Sequence, residues 1–200
     1  MTVEGGTWPP HDGVLMDTQL VLRAQRGDRG AFETLAGASI DRLHGIAYGI
    51  LRDHALAEDV TQQVIVSVWR DLPALRDPER FEAWSYRLMV NRCRSAARQQ
   101  RRSIATLPLV AEGVSSDDLV GVHERDRIER GLRRLSLDQR AVIVLSYYLD
   151  LAPRVVAETL GVPTGTVHSR LHRAMSSLRA AIEADDRPLV PDHVTPEAAR

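Results

Sequence analysis

The chain has 200 residues, 44% of them apolar, a single cysteine and a formal net charge of -1. That length suits one or two small domains, no apolar run approaches the roughly 18 residues that a membrane helix needs, and one cysteine permits no internal disulfide. The N-terminus, MTVEGGTWPPHDG, lacks the basic-then-apolar order of a secretory signal, so the expectation is a cytoplasmic protein with no cofactor.

The near-neutral total conceals strong charge segregation. Residues 83–110 contain no acid, yet Arg87, Arg92, Arg94, Arg98, Arg101 and Arg102 all fall there, and residues 159–182 are again free of acids. The acids collect at Glu58-Asp59, at Asp117-Asp118 and in the C-terminal tail.

In chain order, residues 1–16 are rich in glycine and proline and read as a disordered N-terminus. Asp17 reads as the N-cap of a first helix that stops at Gly27. A second helix begins near Gly30 with Phe32, Leu35, Leu43, Ile46, Ala47 and Ile50 on its apolar face, and Gly37 and Gly45 weaken it from within. A third starts near His54, where Ala57, Val60, Val64 and Val68 recur at helical spacing. The β-branched run VTQQVIVSVW raises a strand as the alternative, but the spacing and the lack of turn signals favour helix. LPALRDPERF, with Pro73 and Pro78, is a loop, and a fourth helix follows from Glu79 or Phe81 to Arg102, carrying Trp84, Leu88 and the arginines.

Residues 103–122 mix small, polar and acidic residues and read as a flexible linker. The second block, residues 123–184, is helical by pattern, with HERDRIERGLRRL, LDQRAVIVLSYYLD, PRVVAETLG and VPTGTVHSRLHRAMSSLRAAI as its pieces. The tail, residues 185–200, carries three prolines and reads as disordered. The fold class is therefore all-α, two helical domains (residues 17–102 and 123–184) joined by a linker.

The last two pieces carry the clearest local signal. A short helix opened by Pro153 ends at the turn GVP, and a longer basic helix follows. On that helix Val167, Leu171, Ala174, Leu178 and Ile182 share one face, Ser169, His172, Arg173 and Ser176 point away, and Thr166, His168 and Arg170 flank them. Thr164 is placed to cap its first turn, whose N–H groups suit a phosphate. Helix, tight turn and basic helix make a helix-turn-helix, in which the first helix props the second against a duplex. The alternative is a helical hairpin with a solvated basic face. His168 and His172, four residues apart, have no third ligand nearby and read as solvated imidazoles rather than a metal site. Cys93, inside the arginine-rich helix, reads as packing rather than as a redox sensor. GDRGAF is too short for a phosphate loop and lacks its lysine, and no other catalytic constellation is present, so an enzyme is not expected.

From Leu132 onward, LRRLSLDQRAVIVLSYYLDLAPRVVAETLGVPTGTVHSRLHRAMSSLR resembles the C-terminal promoter-binding domain of bacterial sigma factors of the extracytoplasmic-function type. GDRGAFETL, LRDHALAEDVTQQVIVSVWRDL and FEAWSYRLMVNRCRSAARQQRR resemble, in order, the pieces of that family's first domain. There are departures: APRVVAETLG lacks the usual acidic start, TQQVIVSVW lacks the aromatic residue that often follows the glutamine pair, and Ser85 stands where an apolar residue is commoner.

The resemblance implies that Asp59, Gln62 and Gln63 meet the clamp coiled coil of the largest subunit of core RNA polymerase, with the flap of the second-largest subunit as a further contact. It implies that the loop holding Arg76 and Arg80 and the helix holding Trp84, Arg87, Asn91, Arg92, Arg94 and Arg98 serve the -10 element. It also implies that Thr166, His168, Ser169, Arg170, His172 and Arg173 serve the -35 element of promoter DNA. An anti-sigma factor is a further partner common in the family. A helix-turn-helix regulator of LuxR-like type that acts without polymerase is the other reading of the C-terminal block.

Overall fold

The computed structural model describes residues 17–106 and 123–185, and all of its regular elements there are helical. The first block holds α1 (Thr18–Gln25), α2 (Arg29–Leu51), α3 (His54–Asp71) and α4 (Phe81–Thr106), with short 3-10 turns at Leu72–Ala74 and Pro78–Arg80. The second holds α5 (His123–Arg134), α6 (Leu137–Ile143), a π-helical turn (Val144–Tyr148), α7 (Pro153–Leu160) and α8 (Thr164–Asp185).

Short polar side chains set the helix starts, because the first N–H groups of a helix have no partner within it. Asp17 accepts from the N–H of Gln19 at 2.9 Å, Asp28 from that of Ala31 at 3.0 Å and Asp53 from that of Leu56 at 3.0 Å. Ser136 and Gln139 exchange side-chain and backbone hydrogen bonds at the start of α6, a reciprocal cap. At the end of α7 the chain turns through Gly161 at φ 68°, a left-handed conformation that costs glycine nothing.

The valine stripe of α3 is buried: Val60 and Val64 are 1% exposed and Val68 2%. Packing of that stripe against α2 and α4 outweighs the β-branched composition, and the segment is helix. α2 runs unbroken through Gly37 and Gly45, because its buried face, with Leu35, Leu43, Ile46 and Ile50, holds it against α1, α3 and α4. The buried hydroxyls of this block are satisfied locally. Ser39 donates to the Leu35 carbonyl, Thr61 to that of Ala57, and Ser85 to that of Glu82 at 2.8 Å, which lets a polar residue occupy an apolar position.

Three boundaries differ from the sequence expectation. α4 continues past Arg102 to Thr106, taking residues 103–106 from the expected linker, and α8 includes Asp185. Thr164 is not a cap: it lies inside α8, and the N–H groups of Thr166 and Val167 donate to the Pro163 carbonyl at 2.9 and 3.3 Å. The segment before α7 also holds a π turn closed by an i to i+5 bond, Leu149 N–H to the Val144 carbonyl at 3.1 Å, which hydrophobic spacing does not encode. The expected disordered ends and residues 107–122 lie outside the described residues.

The two blocks share one apolar cluster. Buried Val142 and Leu145 of the second block belong with Ala47 and Ile50 of the first, and α2 packs on α6 and the π turn while α4 packs on α7.

Cys93 is buried at 0% exposure beside the Met89 thioether, and burial pushes its thiol up to about 12 from its ordinary 9.0. A thiol whose folded value is raised adds stability in full below about pH 9 and loses it as pH climbs from 9 toward 12. Alkylation of native Cys93 at pH 8 is expected to run at least ~100-fold slower than in urea, since the thiolate is the nucleophile. Equal rates would contradict the burial.

Candidate nucleic-acid interface

Three surfaces make up the candidate site, two of them, on α4 and α8, carrying most of the sequence-expected residues. The first is on α4. Trp84, Arg87, Asn91, Arg94 and Arg98 recur at helical spacing along one side of it, with Arg80 just before. The helix start is pinned to α2: Arg42 donates to Glu82 at 2.6 Å and to the Tyr86 hydroxyl at 3.1 Å. Burial, joined by the Glu82 carboxylate, pushes the Tyr86 phenol up, so it stays protonated.

At the N-terminal end of this face lies a cavity of about 260 Å³ lined by Leu75, Arg76, Asp77, Arg80, Ala83, Trp84 and Arg87. Its apolar floor and cationic rim suit an unstacked base with its phosphate. Trp84 serves both as core and as lining: it packs on the buried cluster, its ring 6.0 Å from that of Phe81, and it faces the cavity. The far wall comes from the second block, from Glu158 and Thr159 of α7.

Arg92 stands apart from the other arginines. It lines a groove between α3 and α4 together with Asp59 and Gln63, two residues assigned from sequence to polymerase binding. Gln62 and Gln63 are both exposed, but Gln62 leads along the other side of α3 toward Val66 and Trp69, at i+4 and i+7.

That side is a second surface which sequence reasoning missed. Val66 is 64% exposed and Trp69 42%, and with Phe32 and Ile65 they line an open groove of about 580 Å³ between α2 and α3. The Phe32 and Trp69 rings meet edge to face, centroids 4.6 Å apart, so the groove floor is preformed. Ile65 sits in it immediately after Val64, in the segment noted for lacking an aromatic residue. An apolar groove rimmed by Arg29 and Glu33 has the make-up of a protein-docking site. The signal was present in sequence as a second apolar period, Ile65, Val66 and Trp69, on the side of α3 away from its valines.

The third surface is α8. Val167 and Ala174 are buried against the rest of the second block, and His168, Ser169, His172 and Arg173 are exposed, with Thr166 and Arg170 half-buried beside them. Arg173 donates to the Ser169 carbonyl at 3.2 Å and so lies back along the helix toward its start. α7 supports α8 through Val156 and Leu160, the prop that a helix inserted in a major groove requires. Among the described residues no helix is long and apolar enough to cross a membrane.

Comparison with known proteins gives a consistent result. Residues 35–103 match the family model for Sigma-70 region 2, and residues 125–178 match that for Sigma-70, region 4. The chain is 30% identical over 190 residues to the ECF RNA polymerase sigma factor SigK of Mycobacterium ulcerans (strain Agy99), an alignment covering 89% of this chain and 99% of that one. It is 25% identical over 179 residues to the ECF RNA polymerase sigma factor SigW of Bacillus subtilis (strain 168), covering 82% and 96%. Among solved structures it resembles CnrH in complex with the cytosolic domain of CnrY, with TM-score 0.66, 27% identity and coverage of 85% and 99%. It shares its fold with the sigma factor RpoE in complex with the anti-sigma factor NepR from Bartonella quintana, with TM-score 0.62, 22% identity and coverage of 78% and 98%.

Proposed function

The chain belongs to the ECF RNA polymerase sigma factors of the sigma-70 family, and we propose that it binds core RNA polymerase in the cytoplasm, selects promoters and opens them for initiation. In this reading residues 17–102 form the unit for core polymerase and the -10 element, and residues 123–184 the unit for the -35 element. The observation that carries it is the pair of arginine-bearing stretches with no acid in their sequence, residues 83–106 of α4 and 164–182 of α8, on separate blocks of one chain. Two separated cationic surfaces let one chain contact two promoter elements at once, and phosphate neutralisation supplies much of the affinity.

Position and charge support the following assignment of roles. Arg76, Arg80, Arg87, Asn91, Arg94 and Arg98 line up to hold single-stranded -10 DNA, and the cavity beside Trp84 receives an unstacked base, offsetting the few kcal/mol that unstacking costs. Arg92 lies in the groove with Asp59 and Gln63 and is better placed to meet the polymerase than the base cavity. Thr166, His168, Ser169, Arg170, His172 and Arg173 face the -35 duplex. The groove of Phe32, Ile65, Val66 and Trp69, with Gln62 on its edge, docks the polymerase clamp coiled coil, and the second block meets the flap. A helix-turn-helix regulator working alone has no use for that groove. An anti-sigma factor is a further partner. The bond-making chemistry belongs to the polymerase, and we assign no reaction to this chain.

Co-elution with core polymerase on gel filtration, followed by run-off transcription from the promoter of its own operon, tests the reading. Polymerase-dependent transcripts are expected; duplex binding without co-elution would overturn it. Arg173→Ala is expected to weaken -35 duplex binding by about 10- to 100-fold, the ordinary worth of one arginine contact, with co-elution intact. Equal loss of both would refute the division of labour between the blocks. Val66→Asp places a charge in the exposed groove and is expected to lower core affinity by at least ~10-fold while helical content holds, in line with a truncated docking anchor. Undiminished core affinity, measured by fluorescence anisotropy, would remove the groove from the interface.

A further inference from the structure

We infer that Gln25, the last residue of α1, is a positioning residue for the -10 element: its amide holds the segment between α3 and α4 in the shape that walls the base cavity. The inference rests on the initiation reading above and adds to it a residue outside the arginine-bearing surfaces.

The two walls of the cavity are built differently. Its helical wall, Ala83, Trp84 and Arg87, belongs to α4, whose start is pinned to α2 through Arg42, Glu82 and Tyr86. The other wall, Leu75, Arg76, Asp77 and Arg80, belongs to the segment that joins α3 to α4. Pro73 and Pro78 in that segment have no N–H, so it has fewer donors of its own with which to fix its carbonyl groups. Leu75 is extended, at φ -68° and ψ 111°, so no helical bonding continues through it.

Gln25 supplies donors from outside. Its Nε2 donates to the Leu72 carbonyl at 3.1 Å and to the Leu75 carbonyl at 2.7 Å. A side-chain amide carries two N–H bonds, so one group ties the turn that ends α3 to the residue that opens the cavity wall. The Leu75 carbonyl belongs to the planar peptide that joins Leu75 to Arg76, so fixing it fixes the direction in which the chain enters Arg76. Both residues line the cavity.

The amide is itself well supported. Gln25 is half-buried, and α1 packs on α2 and on both 3-10 turns, so the two bonds are anchored on a helix rather than on another loop. Lining groups have to be held to within about 0.5 Å for a site to discriminate between ligands. Gln25 is not one of the cavity's lining residues, and it acts on a bound base through Leu75 and Arg76.

Two variants test the inference. Gln25→Glu keeps the size of the side chain but sets a carboxylate against the two carbonyl groups, and Gln25→Met removes the donors without adding charge. Each is assembled with core RNA polymerase and titrated with a single-stranded -10 oligonucleotide from the promoter of its own operon. The same oligonucleotide is then made abasic at each position in turn, and the position where the wild type loses most affinity identifies the base in the cavity. Both variants are expected to bind the intact oligonucleotide about 10-fold more weakly than the wild type, the worth of two such hydrogen bonds. They are expected to bind the oligonucleotide abasic at that position as the wild type does. Equal loss on both oligonucleotides, the mark of general damage to the fold, overturns the inference, and so does an undiminished preference for the intact one. A wild-type holoenzyme indifferent to every abasic position would instead defeat the cavity reading. Hydrogen exchange over residues 72–77 of the free chain would then still report the hold: it is expected to be about 10-fold faster in Gln25→Glu, and unchanged exchange would show that the amide holds nothing.

Discussion

An arginine-lined helix with no acid beyond its first turn must find counter-charge elsewhere, and the contact between the two blocks answers part of that demand. α4 carries Arg87, Arg92, Arg94, Arg98, Arg101 and Arg102 without an acid after Glu82. Within the helix no i, i+4 partner can relieve the repulsion between cations. Relief comes from outside: Asp138 approaches Arg94, and Glu158 pairs with Arg80 just ahead of the helix. In the proposed initiating complex, DNA phosphates would supply the same relief.

The interior of the first block has a different character. Its buried serine and threonine hydroxyls are closed off within their own helices, as with Ser39, Thr61 and Ser85. Its core joins the α2 and α3 stripes read from periodicity to Tyr86, Met89, Val90 and Cys93 of α4, which were not. The seam between blocks is more polar, carries ion pairs and leaves the Thr159 hydroxyl unpartnered. Interfaces between domains generally have this mixed composition, and they are where relative motion resides. The contrast sets a locally satisfied core in the first block against a more polar contact between the blocks.

How much of this was legible in the sequence differs by element. The helices, the Asp17 cap and the helix-turn-helix follow from hydrophobic period and from Gly, Pro and Asp placement, whereas the caps at Asp28 and Asp53 came only with the structure. The valine-rich α3 was recoverable because its spacing outweighed its composition. The cap at Thr164 was misplaced by one residue, since proline offers no side-chain signal as a cap while its carbonyl serves Thr166 and Val167. The π turn was illegible, for an inserted i to i+5 bond leaves no mark on apolar spacing. Of the candidate site, the arginines and α8 were read from charge, whereas the groove of Phe32, Val66 and Trp69 was passed over. Phe32 reads as core on α2 and Val66 as outer surface on α3, and only the packing of the two helices brings them together.

Gly45 shows why single-residue propensity misleads at a tertiary contact. Read locally, it weakens a 23-residue helix. Read in the fold, it and Gly49 form a shallow track into which Tyr148 and Val144 settle, and larger residues there would hold the blocks apart. The helix tolerates the local cost because its other faces are buried against α1, α3 and α4. The lost propensity is thereby coupled to the contact: every Cβ missing from this track favours contact between the blocks without strengthening either one, and larger side chains there would have to displace Tyr148 and Val144.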